Sequence, residues 1–169
     1  QELHAPHPRE RGQSRLVLDL MDTTSWEQIV AMVGDAAAKA QPGDWIVGRG
    51  WHQEKWTSVP QPNVEGFPLH DTLSRVSPNN PVMLEHASGH ASYVNARAMQ
   101  ESGITASTRN PAGGDILKDR AGRPIGVLRE TASGLADRAL DAWTAKRTPE
   151  QRAADARRVI DQAVQASLE

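Results

Sequence analysis

At 169 residues, with 38% hydrophobic and 24% charged side chains and a formal net charge of −2, the chain has the size and composition of one globular domain with a sizeable core. The balanced charge, with no basic block, excludes a bulk attraction to nucleic acid or to an anionic membrane, and no apolar run approaches the ~18 residues of a membrane span. The absence of cysteine removes disulfides, thiol nucleophiles and cysteine-ligated zinc, and fits a reducing, cytoplasmic compartment.

Residues 1–15, QELHAPHPRERGQSR, read as an irregular segment without the apolar run of a signal peptide. RLVLDL (15–20) alternates Leu16, Leu18 and Leu20 against Arg15, Val17 and Asp19, the period of a strand. TTSWEQIVAMVGDAAAKA follows, with Thr24 as helix N-cap and Glu27 three residues on, a capping box. Trp26, Ile29, Val30 and Val33 then recur at helical spacing. Gln41-Pro42-Gly43-Asp44 stops that helix and leads into WIVG, a buried strand.

Residues 57–69, with Pro60, Pro62 and Pro68, read as an ordered loop, and HDTLSRV as one or two helical turns. Val82–Leu84 and Ala91–Val94 are short strands separated by Ser88-Gly89. Asn95 caps the helix ARAMQESG, which Gly103 stops. Ile116-Leu117 and Ile125–Val127 flank the polar turn Asp119–Gly122 as a hairpin, and RETASGLADRAL is helical despite Gly134. Thr148-Pro149-Glu150-Gln151 opens a last helix, with N-cap, Pro at the first position and Gln at the third. The fold class is α+β, with mixed short strands and amphipathic helices.

Several residues invite a chemical reading. GRGWHQEKW (48–56) leaves the end of a strand, so Trp51, His52 and Trp56 fit a pocket wall. The competing reading makes Trp45, Trp51 and Trp56 core residues, which suits Trp45 best, as the pocket suits His52. His4 and His7 sit in a Pro-containing terminus and read as a solvated tail. Glu85, His86 and His90 could ligate a metal in a loop, or could be hydrogen-bonded groups shaping a turn; their order differs from H-E-x-x-H. Glu130 sits where a helix begins, and the helix dipole accounts for it. No Ser-His-Asp set and no phosphate loop can be singled out.

The ordered series DWIVGRGWHQEKW, HDTLSRVSPNNPVMLEHASGHASYVNARAMQESGI and NPAGGDILKDRAGRPIGVLRETA resembles the YtcJ-like branch of amidohydrolase family 3. The likeness runs from about residue 16 to the C-terminus. It implies a (β/α)₈ barrel enzyme that hydrolyses amide-like, non-peptide C–N bonds with a bound divalent metal, zinc by preference. The family's metal ligands are an H-x-H pair after the first barrel strand, later histidines and an aspartate. None of the 169 residues forms H-x-H, and a complete barrel takes about 250 residues.

The resemblance therefore implies an internal fragment, an insertion between the first barrel strands, comprising an irregular segment 1–15, a substrate-site domain 16–147 and a barrel helix 148–169. Trp51, His52, Trp56, His86, His90 and Asn95 would line the substrate cleft, with His86 and His90 the weaker candidates for a metal. The metal would belong to the parent enzyme, with none held by this chain alone, and the partner would be a small-molecule substrate, with homo-oligomerisation open. Two rival readings are a free-standing small-ligand module using a Trp/His-rich cleft, and a structural or oligomerisation unit.

Overall fold

A computed structural model describes residues 17–155 and 157. The expected irregular segment 1–15 lies outside these residues, as does most of the expected C-terminal helix. The chain divides into two compact units, the first being Val17–Ala139 and the second including the described residues from Leu140 onward.

The first unit is built on a six-stranded mixed sheet in the order β1-β2-β5-β6-β8-β7. Its strands are β1 (Val17–Asp19), β2 (Ile46–Trp51), β5 (Val82–His86), β6 (Ala91–Val94), β7 (Gly114–Lys118) and β8 (Pro124–Glu130). β1, β2 and β5 run parallel, whereas β6, β8 and β7 are joined by antiparallel pairings. The α+β reading holds, with α1 (Trp26–Lys39) and α2 (Asp71–Val76) in the two crossovers between the parallel strands.

Residues 57–69 carry more structure than a loop. β3 (Asn63–Val64) and β4 (Phe67–Pro68) form a small hairpin of their own. Its two-residue turn places Glu65 at φ 54 and Gly66 at φ 87, the positive values a tight hairpin turn requires. The Asn63 side chain accepts from Gly66 N–H at 3.1 Å and holds the turn closed.

The α1 cap falls one residue later than Thr24. Ser25 Oγ accepts from Gln28 N–H at 3.0 Å, while Gln28 Oε1 accepts from Thr24 N–H at 3.0 Å. The sequence offers both T-x-x-E and S-x-x-Q in adjacent registers; Ser25 is the cap that forms, and Gln28 reaches back one residue beyond it. Trp26, Ile29 and Val33 on the buried face of α1 meet Leu73 of α2, Trp51 and Tyr93 in one core cluster.

α3 (Ala96–Ser102) begins at Asn95 and ends at Gly103 in the left-handed region, as expected. α4 (Ser133–Ala145) begins in the first unit and continues into the second. In the second unit, residues 149–155 are helical, and the capping box at Thr148 forms. Thr148 N–H donates to Gln151 Oε1 at 2.8 Å and Gln151 N–H to Thr148 Oγ1 at 3.1 Å. Arg147, stacked over the Trp143 ring at 4.6 Å, reaches Asp155 Oδ1 at 2.7 Å.

Candidate functional site

The strand directions bring several separate stretches to one edge of the sheet. β2 ends at Trp51 and β5 at His86, side by side. β6 starts at Ala91, whose partner on β8 is Arg129, so His90 and Glu130 lie at the same edge. A tight turn joins β5 to β6: Ala87 N–H donates to Trp51 O and Gly89 N–H to His86 O, each at 2.9 Å.

Trp51 itself faces the interior. It is fully buried, and its Nε1–H donates to Leu84 O at 2.8 Å. The register of β2 shifts between Arg49 and Trp51, leaving Gly50 as the extra residue of a bulge at φ 106. A Cβ at that position would come within 2.6 Å of Met21 Sδ, so both the backbone conformation and the contact demand glycine. Trp56 packs on the same aromatic cluster, its ring 6.1 Å from Trp51 and 5.8 Å from Trp26. The Trp51 indole is thus a core element.

Asn95 also serves the fold. It is fully buried; Oδ1 accepts from Val82 N–H and Ala98 N–H, and Nδ2 donates to Ser77 O and Asn80 O, each at 2.9 Å. Its hydrogen-bonding capacity is filled, leaving nothing for a substrate.

The histidines differ. His52 follows β2 and caps the short 3-10 turn Gln53–Lys55, its Nδ1 accepting from Glu54 N–H at 3.1 Å. Its ring lies 4.6 Å from that of His86. His86 is buried, and its Nδ1 takes the N–H of Ser88 at 3.0 Å and its hydroxyl at 2.8 Å, while Nε2–H donates to Gln53 Oε1 at 2.9 Å. Burial, reinforced by the nearby charges of His52 and His90, holds its pKa below the ordinary imidazole value. His86 is therefore a neutral donor fixed in place.

His90 is exposed, and its Nδ1 lies 3.0 Å from Glu130 Oε2. Glu130 N–H donates to His90 O at 2.8 Å, and Glu130 holds φ 53, a left-handed conformation that costs a non-glycine residue about 1–2 kcal/mol. Its neighbour Arg129 bridges Glu65 of the small hairpin at 3.4 Å and Asp115 of β7 at 3.3 Å. The helix-dipole account of Glu130 missed this pairing, because no local pattern links His90 to a residue at the end of β8.

The chain's whole described length, and more, matches one family model. The model described as "Amidohydrolase family" covers residues 7–169. The chain belongs to the amidohydrolase family.

Among relatives of this chain, putative amidohydrolase YtcJ of Bacillus subtilis is 34% identical over 73% of the chain and 22% of its own length. Protein LONG AFTER FAR-RED 3 of Arabidopsis thaliana is 32% identical over 73% of the chain and 20% of its length. The N-substituted formamide deformylase of Arthrobacter pascens is 34% identical over 64% of the chain and 19% of its length. The matched stretch thus spans about a fifth of these relatives. The fold matches a crystal structure of an uncharacterized metal-dependent hydrolase from Pyrococcus furiosus, with a TM-score of 0.58 at 19% identity, over 94% of this chain and 28% of that one.

The family implies a divalent metal, and the described residues do not fit one. Among them no group of three His, Asp or Glu side chains is placed to hold a metal ion. His86 and His90 do not form a metal pair, since the His86 Nδ1 lone pair already receives Ser88 N–H. Among the described residues no helix is long and apolar enough to cross a membrane.

Proposed function

We propose that this chain is the part of a metal-dependent amidohydrolase that walls its substrate cleft, and that the whole enzyme hydrolyses C–N bonds of amide-like, non-peptide substrates. The observation that carries this reading is the convergence of His52, His86, His90 and Glu130 at one sheet edge. In open α/β sheets ligands bind in the crevice outside the carboxyl ends of the parallel strands. Here the parallel strands β2 and β5 end side by side at Trp51 and His86. The similarity to a relative named as an N-substituted formamide deformylase supports the C–N bond as the target.

The divalent metal of the whole enzyme belongs to residues other than those described. It would supply an activated water nucleophile. This chain's part is to bind and orient: His52 and His90 offer polar ring atoms to the substrate, and His86 braces them from beneath. Trp51 supports that edge from within the core.

The test uses the longer enzyme that carries this stretch, loaded with metal and assayed against N-substituted formamides and other secondary amides. His90→Ala and His52→Ala are each expected to lower kcat/KM by about 10–100-fold with unchanged unfolding midpoints. Undiminished kcat/KM in both variants overturns the cleft assignment. The 169-residue chain alone is expected to show no turnover, and turnover by it would overturn the supporting role.

A further inference from the structure

Three imidazoles stand at this edge, and each has a ring nitrogen fixed by a neighbour of known polarity. His52 Nδ1 receives Glu54 N–H at 3.1 Å, and His86 Nδ1 receives Ser88 N–H at 3.0 Å. A backbone N–H only donates, so both neutral rings carry a lone pair on Nδ1 and a proton on Nε2. His90 is the reverse. Its Nδ1 meets Glu130 Oε2 at 3.0 Å, and a carboxylate only accepts, so the neutral His90 ring carries its proton on Nδ1 and its lone pair on Nε2.

The three remaining Nε2 atoms are not equivalent. His86 Nε2–H is already spent on Gln53 Oε1 at 2.9 Å. His52 Nε2–H and His90 Nε2 meet no hydrogen-bond partner among the described residues. The edge therefore offers one donor and one acceptor.

We propose that His52 and His90 form a donor–acceptor pair that selects a secondary amide, His52 Nε2–H donating to the carbonyl oxygen and His90 Nε2 accepting the amide N–H, with Glu130 as the positioning residue that sets the His90 tautomer. This deepens the cleft reading above and rests on it. The chemistry is discriminating, because esters and tertiary amides lack the N–H and make one of these hydrogen bonds where a secondary amide makes both. The left-handed backbone of Glu130, retained at an energetic cost, and its N–H bond to His90 O at 2.8 Å both serve to hold the dyad.

The experiment is long-range proton–nitrogen NMR of the histidine rings in the chain, at a pH where they are neutral. His52 and His86 are expected as Nε2–H tautomers and His90 as Nδ1–H. Glu130→Gly removes the carboxylate while suiting the positive φ, and is expected to convert His90 to mainly Nε2–H without altering the other two. A His90 ring that is Nε2–H from the start, or indifferent to Glu130→Gly, overturns the positioning role. In the same spectra N-methylacetamide is expected to shift His52 and His90 and to bind at least about tenfold more tightly than N,N-dimethylacetamide. Equal affinities, or no response to either amide, overturn the selection. Neither readout involves turnover, so failure of the longer enzyme to cleave C–N bonds would strike the proposed function and not the tautomer pattern.

Discussion

The indole N–H of Trp51 donates to the carbonyl of Leu84 on the neighbouring parallel strand, at 2.8 Å. That bond ties the end of β2 to the interior of β5, directly under the histidines. Trp51→Phe keeps much of the apolar volume but leaves the Leu84 carbonyl unpaired, and is expected to cost about 1–3 kcal/mol of stability. Trp51→Ala adds a cavity and is expected to cost about 3–5 kcal/mol. Urea unfolding checks both; a variant as stable as the parent would return Trp51 to the cleft wall.

Asn95 joins the start of β5, the start of α3 and the Ser77–Asn80 turn through four hydrogen bonds. Asn95→Ala is expected to cost about 3 kcal/mol or more, since it exposes several buried groups to no partner at once. Asn95→Asp is expected to be no better, because it sets lone pairs against the Ser77 and Asn80 carbonyls and buries a charge. Similar unfolding midpoints for Asn95→Asp and the parent would contradict this assignment.

Gly126 lies in β8 at φ 106, where an added Cβ would sit 2.5 Å from Val94 O and 2.8 Å from His70 Cβ. Both strain and collision act on the backbone, which cannot swing aside as a side chain would. Gly126→Ala is expected to destabilise by about 2 kcal/mol or more, read as a loss of folded protein in circular dichroism melts. A melt superimposable on the parent's would show that β8 tolerates the shift.

Burial lowers the pKa of both His70 and His86 below the ordinary 6.5; the neighbouring Asp71 partly offsets this at His70, whereas His52 and His90 add to it at His86. For a base whose folded pKa is depressed, the unfolded chain takes up the proton first as the pH falls. Stability from these two groups is thus present above 6.5 and is lost as the pH drops through and below that value. The free energy of unfolding is expected to fall between about pH 7.5 and pH 5.5, with a shallower slope in a His70→Gln/His86→Gln variant. A flat profile, or an equal slope in the variant, would count against it.

Much of this fold is legible in local sequence. Asn95 and Gly103 bracket α3, Thr148 and Gln151 make their capping box, and the polar turn before Arg123 joins β7 to β8. These features depend on bonds between residues a few positions apart, and residue type reports them directly. The α1 start shows the limit of that information: two overlapping capping patterns differ by one residue, and the structure uses Ser25 as the cap.

The site is less legible, for a physical reason. Whether Trp51 is a wall or a core residue depends on which face of β2 it takes, and a bulge decides that. The His90–Glu130 pair depends on β6 lying next to β8, a long-range choice made by the whole sheet. The small hairpin at Asn63–Pro68 carried a turn signal in Glu65-Gly66, obscured by the surrounding prolines.

The bulge at Gly50 means that β2 spends one more residue than its partner over the same distance. Counting residues and counting pleats therefore disagree by one within this strand. A homologue lacking the glycine could hold its arginine outside and its tryptophan inside with an unbroken ladder. The proper place for a one-residue gap in any alignment of such strands is then Gly50, and a gap placed at Arg49 instead would pair the buried Gly50 with a surface arginine. The lone glycine marks where the chain's numbering and the sheet's geometry come back into step.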